Sequence, residues 1–80
     1  MRILITGATG FLGSKTVEAF ANHSEFDQIV ATGRTLTADR KVNKDHVTYR
    51  LGELSDPEFV ESLFADRIDL IVNCASLSSP

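Results

Sequence analysis

The 80-residue sequence has one cysteine, one tyrosine, two prolines and no tryptophan. Because Cys74 is the only cysteine, no disulfide can form within the chain, and such low cysteine usage is typical of reducing compartments. No apolar run approaches the roughly 20 residues of a membrane-spanning helix. The apolar segment at the amino terminus is too short for a signal peptide. We therefore expect a cytoplasmic protein without a membrane partner.

The charge pattern is also informative by what it lacks. Eight lysines and arginines face eleven aspartates and glutamates, which gives a formal net charge of −3. No basic stripe is present, and this argues against a nucleic-acid partner. The two histidines, His23 and His46, have no second ligand at a suitable spacing, so no metal site is expected. The length allows one small domain.

The pattern of apolar residues predicts strands alternating with helices. We expect strands over residues 2–6, 29–31, 46–51 and 70–72, a helix over residues 11–22, and a loop over residues 34–45. A second helix should begin after Asp56, an N-cap residue followed by a proline. Its predicted buried face is formed by Phe59, Val60, Leu63 and Phe64.

The resulting order, β-α-β-β-α-β, indicates an α/β fold with a Rossmann-type parallel sheet and helices on its faces. Ligands of such sheets bind beyond the carboxyl ends of the strands. The order amounts to the first half of a doubly wound sheet. We expect residues 1–80 to be the N-terminal half of a nucleotide-binding domain, with the rest of the fold and the substrate region outside this chain.

The first strand runs directly into a glycine-spaced turn and a helix. Gly7 permits the tight exit from the strand, Gly10 lets a pyrophosphate approach the backbone, and Gly13 lets the helix pack closely on the strand. The N–H groups of Phe11 and Leu12 should meet the phosphate oxygens. Thr9 belongs to the same predicted binding turn. The alternative is that the three glycines only form a tight turn between the strand and the helix.

A P-loop, the other phosphate-binding turn, requires a glycine immediately before Lys-Ser/Thr. Ser14 occupies that position before Lys15-Thr16, so a P-loop is excluded.

The end of the second strand distinguishes the two nicotinamide cofactors. An acidic residue there would bind the ribose 2′-hydroxyl of NAD, but the chain has Arg34 and no carboxylate before Asp39. A guanidinium suits the 2′-phosphate of NADP, and Arg40 and Lys41 could add positive charge. We therefore expect NADP in preference to NAD. The alternative is that Arg34 is an ordinary solvated cation.

These motifs resemble the extended short-chain dehydrogenases/reductases, also called the NAD-dependent epimerase/dehydratase family. Residues 6–13, Thr-Gly-Ala-Thr-Gly-Phe-Leu-Gly, resemble the nucleotide-binding signature of the family. Gly33-Arg34 resembles the NADP-type end of its second strand. Residues 52–56 resemble its Gly-Asp-Leu-x-Asp segment, and residues 72–76 resemble the exit of its fourth strand. The resemblance covers essentially the whole chain.

The resemblance implies further cofactor contacts. Glu53 and the N–H of Leu54 would contact the adenine, although the family has Asp where this chain has the longer Glu53. The alternative for Glu53 is a solvated turn acid. Cys74, Ala75 and Ser76 would lie under the pyrophosphate and the nicotinamide-side ribose. For the cysteine itself, a small buried strand residue is favoured over a reactive thiol.

The family's catalytic Tyr-x-x-x-Lys pair is missing from this sequence, because Glu53 stands four residues after Tyr49. We therefore assign no catalytic residue here. The sequence predicts dinucleotide binding as part of an NAD(P)-dependent oxidoreductase, epimerase or dehydratase. Its small-molecule substrate would be bound by a missing C-terminal part, and the protein could be a homo-oligomer. The alternatives are a non-catalytic NADP-binding regulatory protein and a half-sheet completed by a partner or a second copy.

Overall fold

The computed structural model describes residues 1–74. It contains four strands and two helices in the predicted order, with one 3-10 turn, Ala38–Arg40, inside the predicted loop. The elements are β1 (Arg2–Thr6), α1 (Phe11–Ala21), β2 (Gln28–Gly33), β3 (Val47–Leu51), α2 (Pro57–Leu63) and β4 (Leu70–Asn73). In residues 1–74, neither helix combines the length and the apolar character required to cross a membrane.

The strands form one parallel sheet in the order β3-β2-β1-β4. β1 lies inside the sheet, where Ile3 is opposite Ile29 of β2 and Leu70 of β4. Because all four strands run the same way, their carboxyl ends meet at one edge. This edge collects the turn after β1 and the segments that follow β2, β3 and β4. The α/β, Rossmann-type prediction is confirmed.

Side chains of β1 alternate between two apolar layers, as expected for a strand covered on both faces. One layer contains Ile3 and Ile5 with Val17 of α1 and Ile29 of β2, and all four are essentially inaccessible to solvent. The other layer is smaller and joins Leu4 and Val30 to Leu63 of α2. The sheet is therefore held mainly by α1, while α2 contributes a single fully buried side chain.

Two details of the helices differ from the predictions. Phe64 was expected on the buried face of the second helix, but it is 46% exposed. It lies one residue beyond α2 as the C-cap, where the backbone leaves helical geometry and no longer directs the side chain to the sheet. α1 ends at Ala21, and Asn22 is its C-cap. The predicted N-cap is confirmed, because the Asp56 carboxylate accepts a hydrogen bond from the N–H of Glu58.

The amino edge of the sheet is closed by a reciprocal contact between Arg2 and Asp69. The N–H of Arg2 donates to Oδ2 of Asp69 at 2.9 Å, and the N–H of Asp69 donates to the Arg2 carbonyl at 2.8 Å. The first of these bonds, together with the nearby Arg67 guanidinium, holds the pKa of Asp69 below the ordinary value for an aspartate. The contact fixes the start of β4 beside the start of β1.

Candidate functional site

An open groove of about 570 Å³ lies at the carboxyl edge of the sheet. Its walls come from the turn after β1, the start of α1 and the segments after β2, β3 and β4. The lining residues are Gly7, Thr9, Gly10, Phe11, Leu12, Gly13, Gly33, Arg34, Gly52, Glu53, Leu54, Ser55 and Cys74. Every residue assigned to the cofactor site lines this groove, as far as it lies within residues 1–74. Arg40 and Lys41, which were expected to add positive charge, line a separate cleft beside α1. Ala75 and Ser76 lie outside the described residues.

The glycine turn forms the floor of the groove. Gly7 has a φ of 65°, a conformation that side-chain-bearing residues rarely adopt. The turn is anchored to the neighbouring strand, since the N–H of Ala8 donates to the Thr32 carbonyl at 2.9 Å. A Cβ atom on Gly13 would lie 1.9 Å from the Gly7 carbonyl oxygen. Gly13 therefore permits the close approach of α1 to the end of β1.

Gly10 differs from Gly13 because its Cα faces open space. A Cβ atom there would meet only the Gly7 oxygen, at 3.8 Å. Gly10 is the N-cap of α1, and the first helical hydrogen bond runs from the N–H of Ser14 to the Gly10 carbonyl at 2.9 Å. Within residues 1–74, no side chain caps this end of the helix. Its first N–H groups, including those of Phe11 and Leu12, thus remain available to an anion.

Thr9 is held by two contacts with residues far along the sequence. Its side chain lies against the Cα of Gly33, where a Cβ atom would come 2.2 Å from Oγ1 of Thr9. Its carbonyl accepts a hydrogen bond of 3.4 Å from Nη1 of Arg40. Both partners belong to the end of β2 and the loop after it. The turn after β1 and the segment after β2 consequently meet at Thr9.

Arg34, Glu53 and Leu54 lie on the walls of the groove, and all three are exposed. The turn after β3 begins with the N–H of Gly52 donating to the Gly33 carbonyl at 3.0 Å. Ser55 also lines the groove, although the sequence analysis did not select it. Its place in the same tight turn as Glu53 was the signal that could have identified it.

Phe59 of α2 packs over Gly52, where a Cβ atom would lie 2.7 Å from the ring. This packing places the carboxyl-terminal end of β3 next to the helix that follows it.

Cys74 lines the groove directly after β4. It is buried, and its N–H continues the pairing of β4 with β1 by donating to the Thr6 carbonyl at 2.9 Å. Its thiol contacts Oγ1 of Thr16 at 3.7 Å. These contacts agree with a small buried residue at the strand end. The described residues contain no group of three or more His, Cys, Asp or Glu side chains that could hold a metal ion.

The described lining of the groove therefore offers backbone donors at a helix start, the exposed guanidinium of Arg34 and the carboxylate of Glu53. Beside them lies apolar surface from Phe11, Leu12 and Leu54. The donors fit phosphate oxygens, and the apolar walls fit a flat aromatic ring. Ligands that combine phosphate groups with a flat aromatic ring match the residues that line this groove.

Comparison with known proteins gave two matches and one negative result. The model of the NAD dependent epimerase/dehydratase family matches residues 3–80. The low-salt glycan biosynthesis protein Agl12 of Haloferax volcanii is 36% identical over 84 aligned residues. That alignment covers 98% of this chain but 26% of the relative, so the chain spans about a quarter of its length. No solved structure gave a significant match.

Proposed function

The chain belongs to the NAD dependent epimerase/dehydratase family, and from that premise we propose that its groove binds NADP in preference to NAD. The cofactor supplies hydride transfer, and residues of this chain bind and orient it. The junction of β1 and α1 carries the proposal of dinucleotide binding, and Arg34 in the same groove carries the preference for NADP. At the junction an uncapped helix start and an open Cα at Gly10 meet in the groove.

The junction fits a pyrophosphate for two reasons. First, the N–H groups of Phe11 and Leu12 are among those that have no acceptor within an α-helix, and the helix dipole adds positive potential at the same point. Second, the space beside Gly10 permits oxygen atoms to approach the backbone more closely than a Cβ atom would allow. Gly7 and Gly13 support this arrangement through their backbone geometry.

Arg34 supports the preference for the 2′-phosphate. It follows β2, lines the groove and is exposed. Among the described residues it has no ion pair or hydrogen bond, so its guanidinium is free to bind a phosphate in a bidentate manner. The end of β2 offers no carboxylate that would bind a ribose 2′-hydroxyl, since the next acidic residue is Asp39.

Glu53 and Leu54 are proposed to contact the adenine, with the backbone N–H of Leu54 as donor. Their position on the wall formed after β3 supports this assignment. Cys74, Ala75 and Ser76 are proposed to border the pyrophosphate and the nicotinamide-side ribose. The presence of Cys74 in the groove, directly after β4, supports its part of that assignment.

For the whole protein we propose an NAD(P)-dependent oxidoreductase, epimerase or dehydratase that acts on a small molecule in the cytoplasm and could assemble as a homo-oligomer. Residues 1–80 would be the N-terminal half of its nucleotide-binding domain. The catalytic Tyr-x-x-x-Lys pair and the substrate region would lie elsewhere in the protein. A non-catalytic NADP-binding regulator is the second candidate, because every motif identified in these 80 residues concerns cofactor binding.

Calorimetric titration of the full-length protein with NADPH and NADH tests the proposal. We expect Arg34→Ala to weaken NADPH binding about 10- to 100-fold, the value of one or two charge-assisted hydrogen bonds, with NADH changed less than about twofold. Arg67→Ala is the matched control, because this exposed arginine lies before β4, at the opposite edge of the sheet. Failure of the unmodified protein to bind either cofactor would refute the assignment of the groove. An unchanged NADPH preference in Arg34→Ala would refute only the role of Arg34.

A further inference from the structure

The loop after β2 is lightly attached to the rest of the protein. In the described part of the chain, two hydrogen bonds join residues 35–43 to other elements. One is the contact of Arg40 Nη1 with the Thr9 carbonyl at 3.4 Å, and the other runs from the N–H of Val42 to the Tyr49 hydroxyl at 2.9 Å. The 3-10 turn has no buried residue and no side-chain cap. Val42 also packs against the core layer that contains Ile3 and Val17. The loop is therefore attached at two places, Arg40 and Val42.

One of those contacts ends on the glycine turn itself. Thr9 presents its carbonyl to Arg40 and its side chain to the Cα of Gly33. Gly33 and Arg40 stand on either side of Arg34 in the sequence. Thr9 thus contacts the end of β2 before the residue proposed to bind the 2′-phosphate, and the loop after it.

The two arginines of the loop have different surroundings. Arg34 lines the groove and is exposed. Arg40 is half-buried and lines a separate surface cleft beside the outer face of α1, with Lys15 and Lys44 among its neighbours. The guanidinium of Arg40 is directed to the Thr9 carbonyl, which belongs to the turn that both NADP and NAD would use.

We propose that the contacts of Thr9 fix the loop after β2 against the glycine turn. In this proposal Arg40 is a positioning residue that acts on the cofactor through Thr9. The inference rests on the proposed cofactor site. Arg34 discriminates between the cofactors, whereas Arg40 sets the geometry of the pyrophosphate turn that they share. Loss of the Arg40 guanidinium releases the Thr9 carbonyl and leaves Val42 as the attachment of the loop among the described residues.

The test compares dissociation constants for NADPH and NADH in the full-length protein. Arg40→Ala should raise both constants by a similar factor of about three to ten, the value of an ordinary hydrogen bond, because the contact of 3.4 Å is long for a charged donor. The ratio of the two constants should stay within about twofold of the unmodified protein. Gly33→Ala should give the same pattern, because its new Cβ atom displaces the Thr9 side chain. Lys44→Ala, which removes an exposed charge from the same loop, is the control and should change neither constant.

Hydrogen exchange of the free protein supplies a readout that does not require cofactor. In Arg40→Ala, exchange should accelerate together in residues 8–13 and 34–41, while β1 and β2 keep their protection and the melting temperature moves little. A loss of NADPH affinity alone would mean that Arg40 contacts the 2′-phosphate directly, and would overturn the proposed role of Thr9. Unchanged constants for both cofactors, or faster exchange in the loop alone, would also overturn it. If the unmodified protein binds neither cofactor, the proposed function fails as well.

Discussion

Replacement of Gly13 by alanine is the sharpest test of how the glycine turn is built. The new Cβ atom would lie 1.9 Å from the Gly7 carbonyl oxygen and 2.8 Å from the Ala8 Cα, both backbone atoms. Ordinary contact requires at least 3.4 Å, so α1 must move away from β1 by more than an ångström. Alanine gains about 1 kcal/mol of helix propensity over glycine, while overpacking of this kind costs about 1–3 kcal/mol or more. We expect a net loss of about 2 kcal/mol because the obstacle is backbone.

Gly10→Ala is the matched comparison, three residues earlier in the same turn. Gly10 has a φ of −77°, which alanine adopts freely, and its Cβ atom would find only one neighbour at 3.8 Å. Its expected stability loss is below about 1 kcal/mol, the cost of alanine at an N-cap. It should nevertheless weaken cofactor binding, because its Cβ atom occupies the space proposed for the pyrophosphate.

Urea denaturation of the full-length protein measures the stability loss of Gly13→Ala as a lower midpoint at an unchanged m-value. Titration with NADPH measures the weaker cofactor binding of Gly10→Ala. Equal stability of Gly13→Ala and the unmodified protein would refute the packing argument. Full NADPH affinity in Gly10→Ala would refute the proposed approach of the pyrophosphate.

Two further changes test the sheet. Thr32→Val should raise the free energy of unfolding by about 1 kcal/mol, as measured by urea denaturation. The reason is that the Thr32 hydroxyl is fully buried and has no hydrogen-bond partner among the described residues. A loss of stability would indicate that the hydroxyl is bonded. Asp69→Asn should lower stability at neutral pH and flatten its fall in acid. The pKa of Asp69 is lowered chiefly by the hydrogen bond from the Arg2 N–H. The contribution of the Asp69 carboxylate to stability is therefore present above the ordinary aspartate pKa of about 4. It disappears as the pH falls through the lowered pKa. Parallel acid profiles of the two proteins would contradict this.

The fold was predictable because its signals are local and repeated. Continuous apolar runs such as Ile3 to Ile5 marked strands buried on both faces, and their alternation with helices indicated a parallel sheet. Errors occurred at element ends. Phe64 fits the apolar period of α2, but the helix stops before it, and the period alone does not reveal where the backbone turns.

The candidate site was predictable where the chemistry follows from one segment. Gly7, Gly10 and Gly13 occur in a single turn, and topology brings Arg34 and Glu53 to the same edge. The contacts that shape the groove could not be predicted in this way. The hydrogen bond of Arg40 to Thr9 and the packing of Phe59 on Gly52 depend on side-chain placement after the sheet has formed. No period or spacing encodes such pairs.

The interior position of β1 determines the order in which the contacts of the glycine turn can form during synthesis. β1 is made first, yet its partners arrive late: the pairs Arg2–Gln28 and Thr6–Asn73 are separated by 26 and 67 positions. The turn after β1 is fastened by the Thr32 carbonyl, and the strand before it by the N–H of Cys74. Closure of such long loops precedes any gain from pairing, which slows the folding of parallel sheets. A nascent chain must therefore include residue 32 before the turn can be fastened, and residue 74 before the end of β1 is bonded to β4.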